Sequence, residues 1–433
     1  MKVVRKTQFT LVLLAFSTLL SLAQSLPTAR PEDEGFSSER LAYIDKFYSG
    51  KIDRGELAGM VLLVSRHGKV VHESSLGYAD LEKKQRMGDD TLFRFYSMTK
   101  PITSTALMML YEEGRFQLSD PISKYLPEFK DIRVLKTPDS PLSDTVPADH
   151  PPTIQDIMRH TAGFTHGLAD NAFDREYAKA DLWGNDVSLE EMIHRLAKIP
   201  LHHQPATKFD YSVGPDVQAR LVEVLSGMPF DEFLEKRLFT PLGMRDVGFY
   251  VPPAKASRLA TVYWVKEGKL TPLDETYGHP GGDIFVFQPW SVNSYTTKHK
   301  RTGGSYGLAG TAEDYWRFAQ MMLNGGEMNG KRILSPQTVA FMAQDHLEPA
   351  GIPDFERGVG FGLGFAVMKN EAAAGYMSPG GSFYWAGAAA THFWIDPKED
   401  IVVVAMTQHM GTPAADELWG QLRTLVYSAL MVK

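Results

Sequence analysis

In the stretch "FRFYSMTKPITSTALMML", Phe93 to Leu110, a lysine stands three residues after a serine and is followed at once by proline. Proline lacks a backbone N–H and clashes with the turn before it, so inside a helix it is confined to the first turn. Pro101 therefore predicts that a helix over "ITSTALMMLYEEG" begins close to Ser97. Residues three apart share a helix face, so Lys100 can carry its amine over the Ser97 hydroxyl. The free N–H groups and positive end of a helix start also favour a developing alkoxide and depress a nearby ammonium pKa. Those conditions make a serine nucleophilic. The same tetrapeptide equally describes a capping serine followed by a solvated lysine, and S-x-x-K recurs by chance in many chains.

Competing chemistries are thinly represented. The absence of cysteine excludes disulfides, lipoprotein attachment, cysteine nucleophiles and thiolate metal sites together. The 13 histidines show neither H-E-x-x-H nor H-x-H spacing. His202 and His203 are neighbours in a proline-flanked loop, where adjacent side chains point apart, so neither a metal nor a cofactor is expected. "GGSYG", Gly303 to Gly307, has the G-x-S-x-G form of a nucleophile elbow, but that elbow needs a hydrophobic strand before the serine. The preceding "TTKHKRTGG" is polar, so Ser305 reads as structural.

The elements that must position Ser97 and Lys100 come from a chain of 433 residues, 43% hydrophobic and 22% charged, long enough for a large core and two or more lobes. Its net charge of -7, with no long cationic run, gives no electrostatic reason to bind nucleic acid. The first residues join Lys2, Arg5 and Lys6 to an apolar run from Phe9 to Leu22 and small residues near Ala23, the pattern of a signal peptide over 1–23. Export to a bacterial periplasm or medium is the expectation, with no membrane span in the mature chain. A helix is expected from Ser38 to Tyr48, then a hairpin turning at Arg66-His67-Gly68-Lys69. Near the other end, "GFGLGFAVM", "ATHFWIDP" and "IVVVAMTQ" are β-rich, with a turn at Asp396 to Asp400. Two sequence-distant groups of strands predict an α+β fold with one antiparallel five-stranded sheet flanked by helices. The middle reads as helices and long loops, with a capping box at Ser188 and Glu191 and a helical pattern over "DVQARLVEVLSGMPFDEFLEKRLF". The division expected is a discontinuous sheet domain, 24–111 and 302–433, around a helical lobe, 112–301. The last segment, "AADELWGQLRTLVYSALM", reads as a helix packed on the sheet.

Over its whole length, "FRFYSMTKPITSTALMMLYEEGRFQLSDPISKYLPEF" resembles the nucleophile helix and following loop of the serine β-lactamase and penicillin-binding-protein superfamily. It is most similar there to the class C β-lactamase-related esterases, often called family VIII carboxylesterases. "TIQDIMRHTAGF", the segment from Gly307 to Met342, and "THFWIDPKEDIVVVAM" continue the likeness over most of the mature chain. The resemblance implies a β-lactamase/transpeptidase-like fold and assigns Ser97 as nucleophile with Lys100 beside it. It places Tyr211, in "KFDYSVGPDVQARLVEVLSG", at the family's tyrosine, where a nearby cation would favour the phenolate and let it take the Ser97 proton. It places Trp385-Ala386-Gly387 on the sheet-edge strand facing the serine, with Gly387 letting the backbone approach substrate. The N–H groups of Ser97 and Ala388 would form the oxyanion hole. His409, in an H-x-G form after the last strand, is a pocket-lining candidate, and His160 in "RHTAGF" reads as a packed, hydrogen-bonded residue.

Two departures bear on substrate. Val213 stands where the lactamase loop carries an asparagine, and Trp385 where the strand supplies a cation. Each lost amide or charge-assisted hydrogen bond weakens a β-lactam by roughly 1.5 to 3 kcal/mol. An aromatic wall suits a neutral apolar group instead. The sequence thus points to a serine hydrolase acting on a small-molecule ester through an acyl-enzyme, without a cofactor. The alternatives are a β-lactamase, a D-amino-acid peptidase or acyltransferase of the same fold, and a catalytically silent peptidoglycan-binding relative. The sequence does not give the oligomeric state.

Overall fold

The computed structural model describes residues 26–167, 171–184, 186–273 and 295–431. The signal-peptide reading over 1–23 falls outside them. Helix α1, Ser38–Asp53, is capped by the Ser37 hydroxyl, which accepts from Arg40 N, and runs further than its expected end at Tyr48. Strands β1, Gly59–Arg66, and β2, Lys69–Asp80, form the expected hairpin, with Arg66 opposite Lys69. His67 and Gly68 both have positive φ, 51° and 72°, the conformation a tight two-residue hairpin requires.

The main sheet has eight strands. A short β3, Gln85–Arg86, edges β2. Near the other end lie β4, Val359–Phe361, β5, Ala366–Met368, β6, Phe383–Ala386, β7, His392–Asp396, and β8, Ile401–Met406. The spatial order is β4-β5-β6-β7-β8-β1-β2-β3, antiparallel throughout. Chain-terminal halves therefore meet where β1 pairs β8, Val61 opposite Met406. The sheet exceeds five strands for three local reasons. "GFGLGFAVM" folds back on itself as β4 and β5, the short "FYWA" run pairs as β6, and β3 adds an edge. β6 is interior in strand order, yet β5 pairs only its Phe383 and Tyr384, so the Trp385–Ala386 end lacks that neighbour.

Every residue of β1 is buried, because helices cover both faces. Helix α1 packs with the C-terminal helix α6, Thr412–Ala429, whose Tyr427 hydroxyl donates to Asp396 Oδ2 at 2.8 Å. On the other face, helix α5, Ala312–Leu323, contacts β1, β7 and β8, starting from a capping box of Thr311 and Asp314. Helix α2, Thr99–Glu112, leads from the sheet toward helix α4, Gly214–Ser226, to which Ser104 Oγ ties it by donating 2.8 Å to Gln218 Oε1. The single helical pattern read over 216–239 is broken in the fold. Gly227, φ 72°, ends α4 before a second helix, Phe230–Leu234. Helix α3, Leu189–Leu196, has its Ser188 cap, with the hydroxyl accepting from Glu191 N at 3.2 Å.

Candidate active site

Ser97 lies in the short turn Tyr96–Met98 that runs directly into α2, with Lys100 and Pro101 in the first helical turn. The approach to this turn is fixed by backbone pairing. Phe93–Arg94 bridge Ala309–Gly310, and Phe95 N donates to Leu308 O at 2.9 Å. Tyr96 then takes a positive φ of 47°, an uncommon conformation for a bulky residue, and is buried. This sharp reversal presents Ser97 at the helix mouth while its neighbours Tyr96 and Met98 stay in the core.

Lys100 is 2% exposed. Its Nζ lies 3.2 Å from Ser97 Oγ and donates to the Ser305 carbonyl at 2.8 Å. Both partners are neutral. Burial is the main cause that lowers the amine pKa, to about 7; Asp216 opposes the fall and Arg301 reinforces it. The depression expected at a helix start is present, but desolvation is its chief source.

Ser305 is the second serine of interest, and the fold gives it an anchoring place. Its hydroxyl donates to Asp216 Oδ2, its N–H reaches Asp216 Oδ1 at 3.4 Å, and Arg301 Nη2 pairs with the same carboxylate at 3.1 Å. Asp216 is wholly buried in the first turn of α4. Gly304 permits this docking, since a Cβ there would meet the Pro215 carbonyl at 2.0 Å. Thr103 Oγ1 donates to Gly304 O at 2.8 Å, so α2, α4 and this loop meet behind the lysine. The loop holds the carbonyl that holds Lys100.

Tyr211 reaches the same point from just before α4, bringing its ring 4.6 Å from Lys100 Nζ. Its hydroxyl is buried without a hydrogen-bond partner of ordinary length among the described residues. Burial pushes the phenol pKa well up, and proximity to the Ser97 and Trp385 side chains only partly offsets this. The expectation that a lysine cation would favour the phenolate is therefore reversed. Desolvation weakens the ammonium and disfavours the phenolate alike, so both groups tend to neutrality.

Around Tyr211 stand His166, stacked at 5.0 Å and 5° between planes, His160 at 4.8 Å and Trp385 at 5.4 Å. Phe361 and Phe355 extend this wall, at 5.3 and 5.7 Å from Trp385. His160 is the packed histidine expected: its Nδ1 accepts from Ser212 N at 3.1 Å and lies 2.9 Å from Ser212 Oγ. His166 was not singled out by sequence, although its Nδ1 is buried and unpartnered among the described residues, as is Trp385 Nε1. Burial, and then the Lys100 charge, hold both imidazoles well below their usual range. Lone histidines in a loop carry no spacing signal. Only the fold sets this one on the tyrosine.

Val213 is buried and donates its N–H to Thr165 O at 3.1 Å, so its side chain offers no amide toward a ligand. A Cβ at Gly387 would strike Thr391 Oγ1 at 2.1 Å and Phe95 O at 2.4 Å, so glycine there lets the end of β6 dock against the segment before Ser97. The following turn is fixed by Gly387 N donating to Thr391 O at 2.8 Å and Thr407 Oγ1 to Ala389 O at 2.7 Å, leaving Ala388 exposed. His409 pairs beside Tyr263, donates its N–H to Ala389 O at 3.0 Å in the turn that carries Ala388, and lines a small cavity with Leu57, Tyr78 and Met87; burial, and then the charge of Lys51, lower its pKa. His202 and His203, expected to point apart, instead both face Asp210, at 3.6 and 3.9 Å.

The chain matches the family described as Beta-lactamase over residues 44–427. It is 35% identical over 369 residues to Protein Rv1367c of Mycobacterium tuberculosis, covering 82% of this chain and 87% of that protein. To Esterase EstB of Burkholderia gladioli it is 30% identical over 420 residues, 93% of this chain and 98% of the esterase. Among solved structures, EstCE1, "a hydrolase with promiscuous acyltransferase activity", superposes with a TM-score of 0.77 at 28% identity, covering 90% of this chain and 99% of that one.

Proposed function

The chain belongs to the beta-lactamase family, and we propose that within it the protein is a serine carboxylesterase working through an acyl-enzyme on Ser97. The observation that carries this reading is the buried Lys100 amine, 3.2 Å from the Ser97 hydroxyl and bonded to neutral oxygens among the described residues. With its pKa drawn down to about 7, a large fraction of that amine is free base at neutral pH. Lys100 takes the proton as Ser97 Oγ bonds to the ester carbonyl carbon. The N–H groups of Ser97 and Ala388 receive the oxyanion. Tyr211, kept as a phenol by burial, passes a proton to the departing alkoxide and is reprotonated from the Lys100 ammonium. The C–O bond breaks, the alcohol leaves, and the acyl group remains on Ser97. Water then attacks with Lys100 again as base, and Ser97 departs with the proton.

Ester rather than β-lactam is supported by the wall of Trp385, Tyr211, Phe361 and Phe355, which offers apolar surface where a lactamase needs a cation. The relationship to EstB is consistent with that choice. Comparing kcat/KM for p-nitrophenyl butyrate and nitrocefin tests it: the ester is expected to be turned over faster by a factor of about 100 or more. Faster nitrocefin turnover would overturn the substrate class. Export belongs to the same reading and rests on the signal-like residues 1–23; cell fractionation with N-terminal sequencing checks it.

A further inference from the structure

The aromatic wall continues past Trp385 into a loop whose construction has no part in the proton transfers above. Between Leu347 and Gly358 the chain makes a short turn and then an exposed run, Pro353 to Arg357, in which Phe355 alone is drawn inward. Its ring contacts Phe209 at 5.0 Å, Trp385 at 5.7 Å and Phe361 at 5.9 Å. An isolated loop phenylalanine would be free to swing. Here the loop is clamped by Lys369, which directly follows β5.

The Lys369 ammonium bonds three carboxylates: Asp345 at 2.9 Å, and Glu348 and Asp354 at 2.8 Å each. Glu348 and Asp354 belong to the loop itself. Asp345 connects the clamp back to the wall, because its Oδ1 also accepts from Phe361 N at 3.1 Å and Leu347 N at 3.0 Å. The backbone adds a tether where Lys369 N donates to Gly358 O at 2.9 Å. The Lys369 ammonium thus holds the segment that carries Phe355 at Glu348 and Asp354, and the Lys369 backbone holds its far end at Gly358, directly before β4.

We propose that Phe355 is the specificity-determining end of an apolar subsite for the hydrocarbon chain of the ester, and that Lys369 is the positioning residue that holds it there. This rests on the ester-hydrolase reading above. A wall clamped at a set distance rewards chains that reach it and excludes those that would pass it. Each methylene packed against such a wall is a factor of about 4 in kcat/KM.

The test is chain-length dependence with p-nitrophenyl esters from acetate to decanoate, varying the acyl chain, and with alkyl butyrates from ethyl to octyl, varying the alcohol. Phe355→Ala moves the optimum to longer chains by about two carbons or more, and Phe355→Trp moves it to shorter ones, in whichever series occupies the subsite. Lys369→Met flattens the length dependence mainly through KM, because the wall is still present but no longer fixed. Opposite shifts by the two phenylalanine variants support the inference and tell acyl from alcohol. Unchanged profiles in both series, with turnover still abolished by Ser97→Ala, would overturn the subsite and leave the esterase reading standing. Absence of any Ser97-dependent ester turnover in the wild type would overturn both.

Discussion

Two lysines flank the aromatic wall, and the fold treats them in opposite ways. Lys369 is given three carboxylates, and although burial works against it, its bonds to Asp354, Glu348 and Asp345 push its pKa up. Among the described residues Lys100 is given none. A carboxylate is at hand in Asp216, but the Arg301 pair and the Ser305 hydroxyl and N–H occupy it, and Lys100 bonds the Ser305 carbonyl and the Ser97 hydroxyl instead. The clamp lysine is a fixed charge. The site lysine has its charge weakened, chiefly by burial, while the nearest carboxylate is engaged elsewhere.

Removing either end of the Ser97–Lys100 pair breaks the contrast most severely. Ser97→Ala or Lys100→Met is expected to lower kcat by about 1,000-fold or more, measured with p-nitrophenyl butyrate. Tyr211→Phe removes only the hydroxyl and keeps the ring stacked on His166, so a loss of about 100-fold or more with a small change in KM is expected. His166→Phe keeps a ring on Tyr211 and removes an imidazole that the proton path does not use. A loss under about 10-fold is expected, and a larger one would put His166 in the proton path.

The pH dependence sharpens the comparison further. With Lys100 as base, kcat/KM is expected to rise about tenfold per unit below its pKa and level off above pH 7. Asp216→Asn leaves the Arg301 cation uncompensated and moves that rise to lower pH, whereas Arg301→Gln leaves the Asp216 anion and moves it higher. Shifts in the same direction from both variants would contradict the electrostatic account.

Stability separates the lysines by smaller amounts. The folded pKa of Lys100 lies below its unfolded value of 10.5, so its burial disfavours the fold fully below pH 7, and the deficit disappears as pH rises past 10.5. Lys100→Met is therefore expected to raise stability at pH 7 by about 1 kcal/mol and to flatten the gain that the wild type shows from pH 7 to 10. Lys369 is partly exposed, so Lys369→Met is expected to lower stability by no more than about 1 kcal/mol, measured by urea unfolding.

Much of this arrangement was legible in the chain. Pro101 announced the helix start, the His67-Gly68 turn the hairpin, and the S-x-x-K spacing the pairing of hydroxyl and amine. These are local signals, set by a residue's own backbone preferences or by one helical turn. What stayed hidden depends on contacts between distant segments. The strand "FYWA" is too short to show alternation, and its place in the sheet is decided by β7. Asp216, Arg301 and Ser305 lie up to 89 residues apart and become a unit only when α4 docks against the glycine loop. The rise in the Tyr211 pKa is not legible, because the charge of a neighbour can be read from sequence whereas the burial that dominates here cannot.

The most direct test of the central claim is the rate of irreversible labelling by a fluorophosphonate, followed by mass spectrometry from pH 5 to 9 with the modified peptide mapped. The adduct should fall on Ser97, with a rate that climbs through pH 7 and is lost in Lys100→Met. Labelling of Ser305, or an unaltered rate in Lys100→Met, would contradict the assignment of a neutral buried amine as the group that activates the serine.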